Sequence, residues 1–398
     1  MMSAWPLTVG RPMTNPTDVG RRAVLAAGAS AISIAGCLDR TADEPAADDR
    51  FVLEEVADGL DHPWGVDFLP DGDLAVVTER GGRLLLVDTE EGDVAPVDGA
   101  PEVAAAGQGG LLDPAVDPPW LYLTYSVAND DGETATAVGR GRLDAGEARL
   151  ESFERLHVAE PFYDSDGHYG SRVVLDDAVY VTTGDRQFKE FGPGHVSQDR
   201  GDENGATLRL EPDGSIPADN PFLDDPEAAD AIYSYGHRNA QGMTVHPETG
   251  ELWQSEHGEQ DGDELNVIEA GGNYGWPITH TGCTYDTGEP VGEEPFDRAD
   301  VVDPIYYWEC GSGGFPPAGM SFYDGEAFPD WRGDLFVGTL AGEYLGRFSV
   351  DGRAVTEREP LLSGRGWRIR DVAVAPETGH LYVAVDDRDV PLVRLVPE

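Results

Sequence analysis

Six short stretches hold residues whose types and spacing could do chemistry. "SDGHYGSR" (165–172) presents His168 between glycines, and "TTGDRQF" (182–188) presents Asp185 at the end of an apolar run. A histidine used as a base needs a carboxylate to fix its tautomer and steady its protonated form, and Asp185 is the candidate. "YGHRNAQGM" (235–243) sets Arg238 and Asn239 at a glycine-flanked turn, just upstream of the carboxylates and exposed backbone of "EHGEQDGDELN" (256–266). "GWRIRDV" (366–372) carries Arg368 and Arg370, two residues apart and so on one face of a strand, able to hold one anion together. "GQGGLLD" (107–113) offers Gln108 among glycines that let backbone approach a ligand closely.

Each stretch alone has a plainer reading. A glycine-flanked histidine is more often a capped turn, paired arginines are more often surface ion-pair partners, and "EQDGDE" alone would be a solvated loop. The set counts for more, because each polar cluster abuts one of a series of repeated strands. A proline or aspartate turn followed by an apolar, alternating strand recurs as "LPDGDLAVVTERGGRLLLVD", "DPPWLYLTYS", "DDAVYVTTGD", "HPETGELWQSEHG", "FPDWRGDLFVGTL" and "APETGHLYVAVDD". Six such units, irregularly spaced and with no long helical periodicity, predict an all-β, six-bladed β-propeller over 50–398. A pair of β-sandwiches is the alternative, but repetition of one unit favours blades, each of which needs neighbours to bury both faces. The longest insertion, about 271–319, holds Cys283 and Cys310 and reads as a stapled, ligand-binding loop. Glycine-framed polar loops around a propeller's channel suit an anionic organic cofactor together with a divalent cation.

Composition narrows the partners. The chain has 398 residues, 76 acidic against 27 basic, and a formal net charge of −49. Lys189 is the only lysine. Such a surface repels nucleic acid and anionic lipid, and its even spread is read as adaptation to high salt in a halophilic host, where screening removes self-repulsion. The 40% hydrophobic content argues against disorder.

Residues 1–36 read as an address rather than part of the fold. Arg21 and Arg22 precede a small-residue apolar run, Ala23 to Gly36, too short to span a bilayer, as in a twin-arginine export signal. "SIAGC" resembles a lipobox, which makes Cys37 the lipidated first residue, with 37–49 as an acidic tether; Met13 is an alternative start. Export to the cell surface, with a lipid anchor on the outer face of the cytoplasmic membrane, leaves Cys283 and Cys310 in an oxidising compartment, where two remaining thiols pair by arithmetic.

The resemblance to a known family is carried by "HPWGVDFLPDGDLAVVTERGGRL", "GQGGLLD", "GHYGSR", "IPADNPF", "YGHRNAQGM", "EHGEQDGDELN", "GGNYGWP" and "RIRDV", in that order from about Leu60 to Pro397. These closely resemble the PQQ-dependent soluble aldose (glucose/sorbosone-type) sugar dehydrogenases. The resemblance implies a six-bladed propeller and oxidation of an aldose at C1 to the lactone, with PQQ and Ca²⁺ as cofactors and an electron acceptor that is not identified. It implies His168 as general base, Asp185 as its orienting partner and Arg238, with Asn239 beside it, as the cation at the reacting carbonyl. It further implies Gln108, Arg368 and Arg370 as PQQ contacts and the carbonyls of Gly258 and Glu259 as calcium ligands, with a second calcium at Glu264 and the Tyr274 carbonyl.

Three positions depart from the family pattern. Ala341 stands where members commonly have a PQQ-contacting lysine, Gly167 where some have aspartate, and Glu259 where many have proline. Two other functions fit the same fold class: a calcium-dependent lactonase-type hydrolase, which would need side-chain metal ligands in the channel, and a non-catalytic extracellular propeller that binds sugar or protein.

Overall fold

The computed structural model describes residues 51–293, 296 and 298–398, so the twin-arginine segment, Cys37 and the tether to 49 lie outside the described residues. Six four-stranded antiparallel sheets follow one another along the chain. The first five span 63–96, 111–158, 173–235, 240–307 and 317–357. The sixth combines 369–397 with the first described strand, Phe51–Asp61. This is the expected six-bladed propeller. Among the described residues, no helix is long and apolar enough to cross a membrane.

The repeated sequence unit is the turn after a blade's first strand plus its second strand. Leu252–Glu256, Leu335–Thr339 and Leu381–Val385 are second strands buried at every position. A middle strand is covered by the neighbouring blade on each face, so every position is buried, polar ones such as Gln254, Ser255 and Thr339 included, where the sequence suggested alternation. Outer strands face water on one side, and Arg149–Val158 is accordingly charged and mostly exposed. The turns need a left-handed residue, supplied by Gly72, Gly250 and Gly379 at φ 72°, 71° and 68°.

The six first strands pack in cyclic order around the central channel: Pro63–Phe68, Leu111–Asp117, Val173–Leu175, Ala240–Val245, Pro317–Phe322 and Ile369–Val374. The ring is closed by hydrogen bonds between the two ends of the domain. Phe51–Asp61 runs antiparallel to Arg388–Pro397, with Phe51 opposite Pro397, as the outermost strand of the sixth blade.

The segment expected as one long insertion is two loops. The first, 268–305, connects the third and fourth strands of the fourth blade; the second, 308–316, leads to the fifth blade, where 317–319 already belong to the inner strand. A disulfide joins Cys283 to Cys310 with Cα atoms 5.4 Å apart. Cys283 also exchanges backbone hydrogen bonds with Gln260, at 2.9 and 3.0 Å, so the staple braces the loop that follows Leu252–Glu256. Replacing both cysteines by serine removes a constraint worth about 3 kcal/mol in the loop-entropy model. The double variant is expected to unfold at lower denaturant, and native peptide mapping of the wild-type chain is expected to find the Cys283–Cys310 peptide intact.

Candidate active site

The loops at one end of the channel enclose a cavity of about 600 Å³, within the range of small-molecule sites. Five cations line it: Arg80, Lys189, Arg238, Arg368 and Arg370. That is five of 24 lining residues, against 27 lysines and arginines in the whole 398-residue chain. Four carboxylates, Glu259, Asp261, Asp263 and Asp386, line it as well, so cations and acids nearly balance here while the chain as a whole carries −49.

His168 opens onto this cavity from the loop before the third blade. It adopts φ 46°, a left-handed conformation that a side-chain-bearing residue rarely takes without a surrounding structure that enforces it. Three contacts enforce it. Gln108 Oε1 accepts the His168 backbone N–H at 2.8 Å, Asp185 Oδ1 lies 2.6 Å from His168 Nδ1, and Gly184 packs against the His168 carbonyl. A Cβ at position 184 would stand 2.2 Å from that oxygen, so the glycine before Asp185 is required by close approach.

Asp185 is itself held from three sides. Its backbone N–H donates to the Arg238 carbonyl at 2.7 Å, its Oδ2 accepts Trp276 Nε1–H at 2.8 Å, and its Oδ1 also accepts the Gln187 backbone N–H at 2.9 Å. Burial by itself would raise its carboxyl, but His168 and Arg238 hold it below the usual carboxylate range. It is therefore the ionised acceptor for Nδ1–H, which leaves Nε2 of His168 as the basic nitrogen. Burial above all keeps the His168 imidazolium unfavourable; Asp185 pushes the other way and Arg238 adds to the lowering, so the net shift is below the ordinary 6.5. The imidazole is neutral at neutral pH, as a base must be.

Arg238 is 5% exposed and reaches the cavity from the turn that enters the fourth blade. Glu256 shapes that turn, accepting the Arg238 N–H at 2.6 Å through Oε1 and pairing with His237 Nδ1 at 2.8 Å through Oε2. The guanidinium lies 5.3 Å from the Trp276 ring centre and donates from Nη2 to Glu259 Oε2 at 2.6 Å. Asn239 Oδ1 accepts the Gly170 N–H at 3.1 Å, which ties the Arg238 turn to the His168 loop.

Arg370 and Arg368 share the cavity, though not as two free cations on one strand face. Arg370 is buried in the strand Ile369–Val374 and is paired with Asp386 and with Gln241 Oε1, the latter at 2.9 Å. Arg368 precedes that strand and is half-exposed, 3.8 Å from the same Asp386 carboxylate. Burial opposes the Asp386 charge, yet Arg370 holds the carboxyl far below its usual range, so one arginine charge is already matched.

Gly258 and Glu259 line the cavity, and neither of their carbonyls accepts a hydrogen bond among the described residues. Glu264 and Tyr274 stand elsewhere. Glu264 lies 3.4 Å from His280, and the Tyr274 hydroxyl donates to the Val267 carbonyl at 2.6 Å while its ring stacks on His237. Among the described residues, no cluster of three His, Cys, Asp or Glu side chains could hold a metal.

Several residues at the site carried no functional signal in the sequence. Trp276 and Gln241 lie inside quoted motifs, but nothing in their spacing says what they touch. Asp386 and Lys189 lie in no motif of the family resemblance; Lys189 could have been singled out as the sole lysine. The room that Gly167 leaves is taken by Gln187, whose amide would stand 2.4 Å from a Cβ at that position.

An oriented, neutral histidine beside a cavity lined by cations, on a six-bladed propeller, is an arrangement able to accept a proton from a bound molecule. The family model for glucose/sorbosone dehydrogenases matches residues 60–394, and the chain belongs to that family. It is 38% identical over 354 residues to the aldose sugar dehydrogenase of Escherichia coli (strain K12), covering 87% of this chain and 92% of that protein. The quinoprotein glucose dehydrogenase B of Acinetobacter calcoaceticus is 27% identical over 419 residues, 86% of each chain. Among solved structures, the apo-form soluble aldose sugar dehydrogenase from Escherichia coli superposes with a TM-score of 0.81 at 36% identity, covering 87% of this chain and 100% of that one. The PQQ-bound aldose sugar dehydrogenase from Streptomyces coelicolor gives 0.70 at 27% identity, covering 88% and 99%.

The His168–Asp185 pair has a pH signature. A base that must be neutral fails as pH falls through its pKa, so the acid limb of kcat/KM is expected below pH 6.5. Asp185→Asn removes the charge that raises the His168 pKa. It is expected to move the limb to still lower pH while kcat falls, because Nδ1–H loses its carboxylate. A pH–rate profile of the two proteins checks both.

Proposed function

We propose that the chain is an extracytoplasmic, PQQ- and calcium-dependent aldose dehydrogenase that oxidises its sugar at C1 to the lactone. The observation that carries this reading is the neutral His168, aimed by Asp185, on a cavity lined by five cations in a protein of net charge −49. PQQ carries three carboxylates, and the cavity wall offers arginine and lysine side chains to meet them, the half-exposed Arg368 and Lys189 among them. The unengaged carbonyls of Gly258 and Glu259 are hard oxygen donors of the kind calcium takes, and the Asp261 and Asp263 carboxylates line the same part of the cavity. Bound there, PQQ would supply the two-electron acceptor and calcium the Lewis acid that polarises it.

The residues then divide the work. Nε2 of His168 takes the proton of the C1 hydroxyl as the C1 hydrogen departs with its electron pair. Asp185 keeps the ring oriented and stabilises the imidazolium that forms. Arg238 sets a fixed positive charge where negative charge develops, in a wall shielded from water by Trp276. Gln108 and Asn239 do not need to touch a ligand to matter, since they hold the backbone of the base loop. Arg370, locked by Asp386 and Gln241, and Arg368, half-exposed, supply the anion-binding side.

The signal features of 1–36 and Cys37 support export and a lipid anchor, and the acidic surface supports work at high salt. Cys37→Ser is expected to release the protein from washed membranes into the medium; unchanged retention would place the anchor elsewhere.

His168→Asn is expected to keep calcium-dependent PQQ binding and to lose activity by about 10²–10⁴-fold, as measured by dye reduction with aldoses. Ala341 is exposed on the cavity wall, so a lysine there displaces no packed atoms. Ala341→Lys is expected to tighten PQQ binding by about 10–100-fold, the worth of one hydrogen bond to a charged group. If PQQ with calcium binds neither the wild-type chain nor this variant, the dehydrogenase reading fails and a non-catalytic propeller takes its place.

A further inference from the structure

Arg238 shares its carboxylate partner with the only lysine of the chain. Arg238 Nη2 donates to Glu259 Oε2 at 2.6 Å, and Lys189 Nζ donates to both oxygens of the same carboxylate at 2.5 and 2.6 Å. The Arg238 and Glu259 side chains are 6% and 4% exposed, whereas Lys189 is 55% exposed. Two members are therefore buried and locked, and the third stands at the mouth. Its ammonium lies 5.7 and 5.9 Å from the ring centres of Phe191 and Tyr285. The three come from separate loops: after Val179–Thr182, before Ala240–Val245 and after Leu252–Glu256. Only the closed propeller brings them together.

The charge arithmetic is specific. An Arg238–Glu259 pair alone is neutral, so a carboxylate at position 259 would cancel the attraction that an anion at Arg238 requires. With Lys189 the group carries +1. A buried ion pair also loses its value if its members are free to turn, and here Glu259 fixes the guanidinium through Nη2 while Nη1 reaches the His257 carbonyl at 3.4 Å.

We propose, on the reading of the cavity given above, that Glu259 is a positioning residue that orients Arg238, and that Lys189 is the compensating cation that keeps this wall attractive to a carboxylate-bearing quinone. Glu259 thus restricts Arg238 to one rotamer, and Lys189 offsets the charge that this restriction introduces. Lys189 supplies an ammonium to a cavity whose position 341 has none.

The test is PQQ binding with calcium, read by quenching of tryptophan fluorescence, at the lowest salt that preserves the fold and at molar salt. Lys189→Met is expected to bind about fivefold more weakly at the lower salt and to converge on wild type at molar salt, where the Debye length is about 3 Å. Lys189→Arg keeps the charge and is expected to bind as wild type does. Glu259→Gln is expected to bind at least as tightly as wild type yet turn over more slowly, because Arg238 loses its latch while the local charge rises. The double variant Lys189→Met/Glu259→Gln restores a net +1 and is expected to return to near wild-type affinity. Native affinity in Lys189→Met at the lower salt, or a double variant that binds no more tightly than Lys189→Met, overturns the triad alone. Absence of PQQ binding by the wild-type chain overturns the functional reading and the triad with it.

Discussion

Arg172 sits in the middle of the ring, 5% exposed, and three other blades are fastened to it directly. It comes from the loop entering the third blade and pairs with Asp113 of the second at 2.5 Å and Asp371 of the sixth at 3.1 Å. Its Nε donates to the Gln241 carbonyl of the fourth blade at 3.1 Å. The two carboxylates continue the stitching: Asp113 accepts the Val173 N–H and Asp371 the Val66 N–H of the first blade, both at 2.9 Å. Burial pushes both carboxyls up, and Arg172 is the leading influence that opposes it. Breaking a buried pair of this kind costs about 3–5 kcal/mol, because the remaining charge is left unmatched. Space for it is made by absent side chains: a Cβ at Gly319 would stand 1.7 Å from Asp371, and one at Gly65 would stand 2.7 Å from Asp113.

The cavity is built on this hub. The Arg172 guanidinium lies 4.6 Å from the ring centre of Trp64, and Arg370 lies 5.8 Å from the same ring, which lines the cavity. Gln241 joins the two levels, since its backbone carbonyl accepts from Arg172 while its side chain accepts from Arg370 and pairs with His257. Inner-strand geometry therefore sets where the cavity arginines stand. The arrangement also limits what salt can do. Ions screen the exposed acidic surface over a few ångströms, but they enter poorly between partners at 2.5–3.1 Å with both side chains under 10% exposed. High salt can thus weaken the long-range field of this protein and leave these buried pairs in place.

The fold was legible because each blade repeats the same physical demand. A second strand covered on both faces is rich in apolar residues, and in three blades the turn before it offers a left-handed glycine, so the unit recurs visibly as "PDGDLAVVTE", "PETGELWQSE" and "PETGHLYVAV". The pairing of His168 with Asp185 was legible for a related reason. His168 and Asp185 stand where glycines permit backbone to approach backbone, and Gly184 is required by the His168 carbonyl. Arg368 and Arg370 were legible as cations but not as partners of Asp386, which arrives from 16 residues further on across a strand pair. Glu264 and the Tyr274 carbonyl, which the resemblance assigns to a second calcium and not to this cavity, do not line it.

The sequence by itself determined the periodic burial that makes six blades, the glycines that allow close approach, and the types of the groups that can act as base, acceptor and cation. These are local properties, set by a residue and its near neighbours. Only the tertiary structure decided who faces whom. Closing the ring brings Trp276 to Asp185, across 91 residues, and Glu259 to Lys189, across 70. It also joins Gln241 to Arg370, across 129. Those pairings fix the tautomer of the base and the net charge of the cavity, because an electrostatic interaction depends on distance in space, and chain separation along a propeller carries almost no information about that distance.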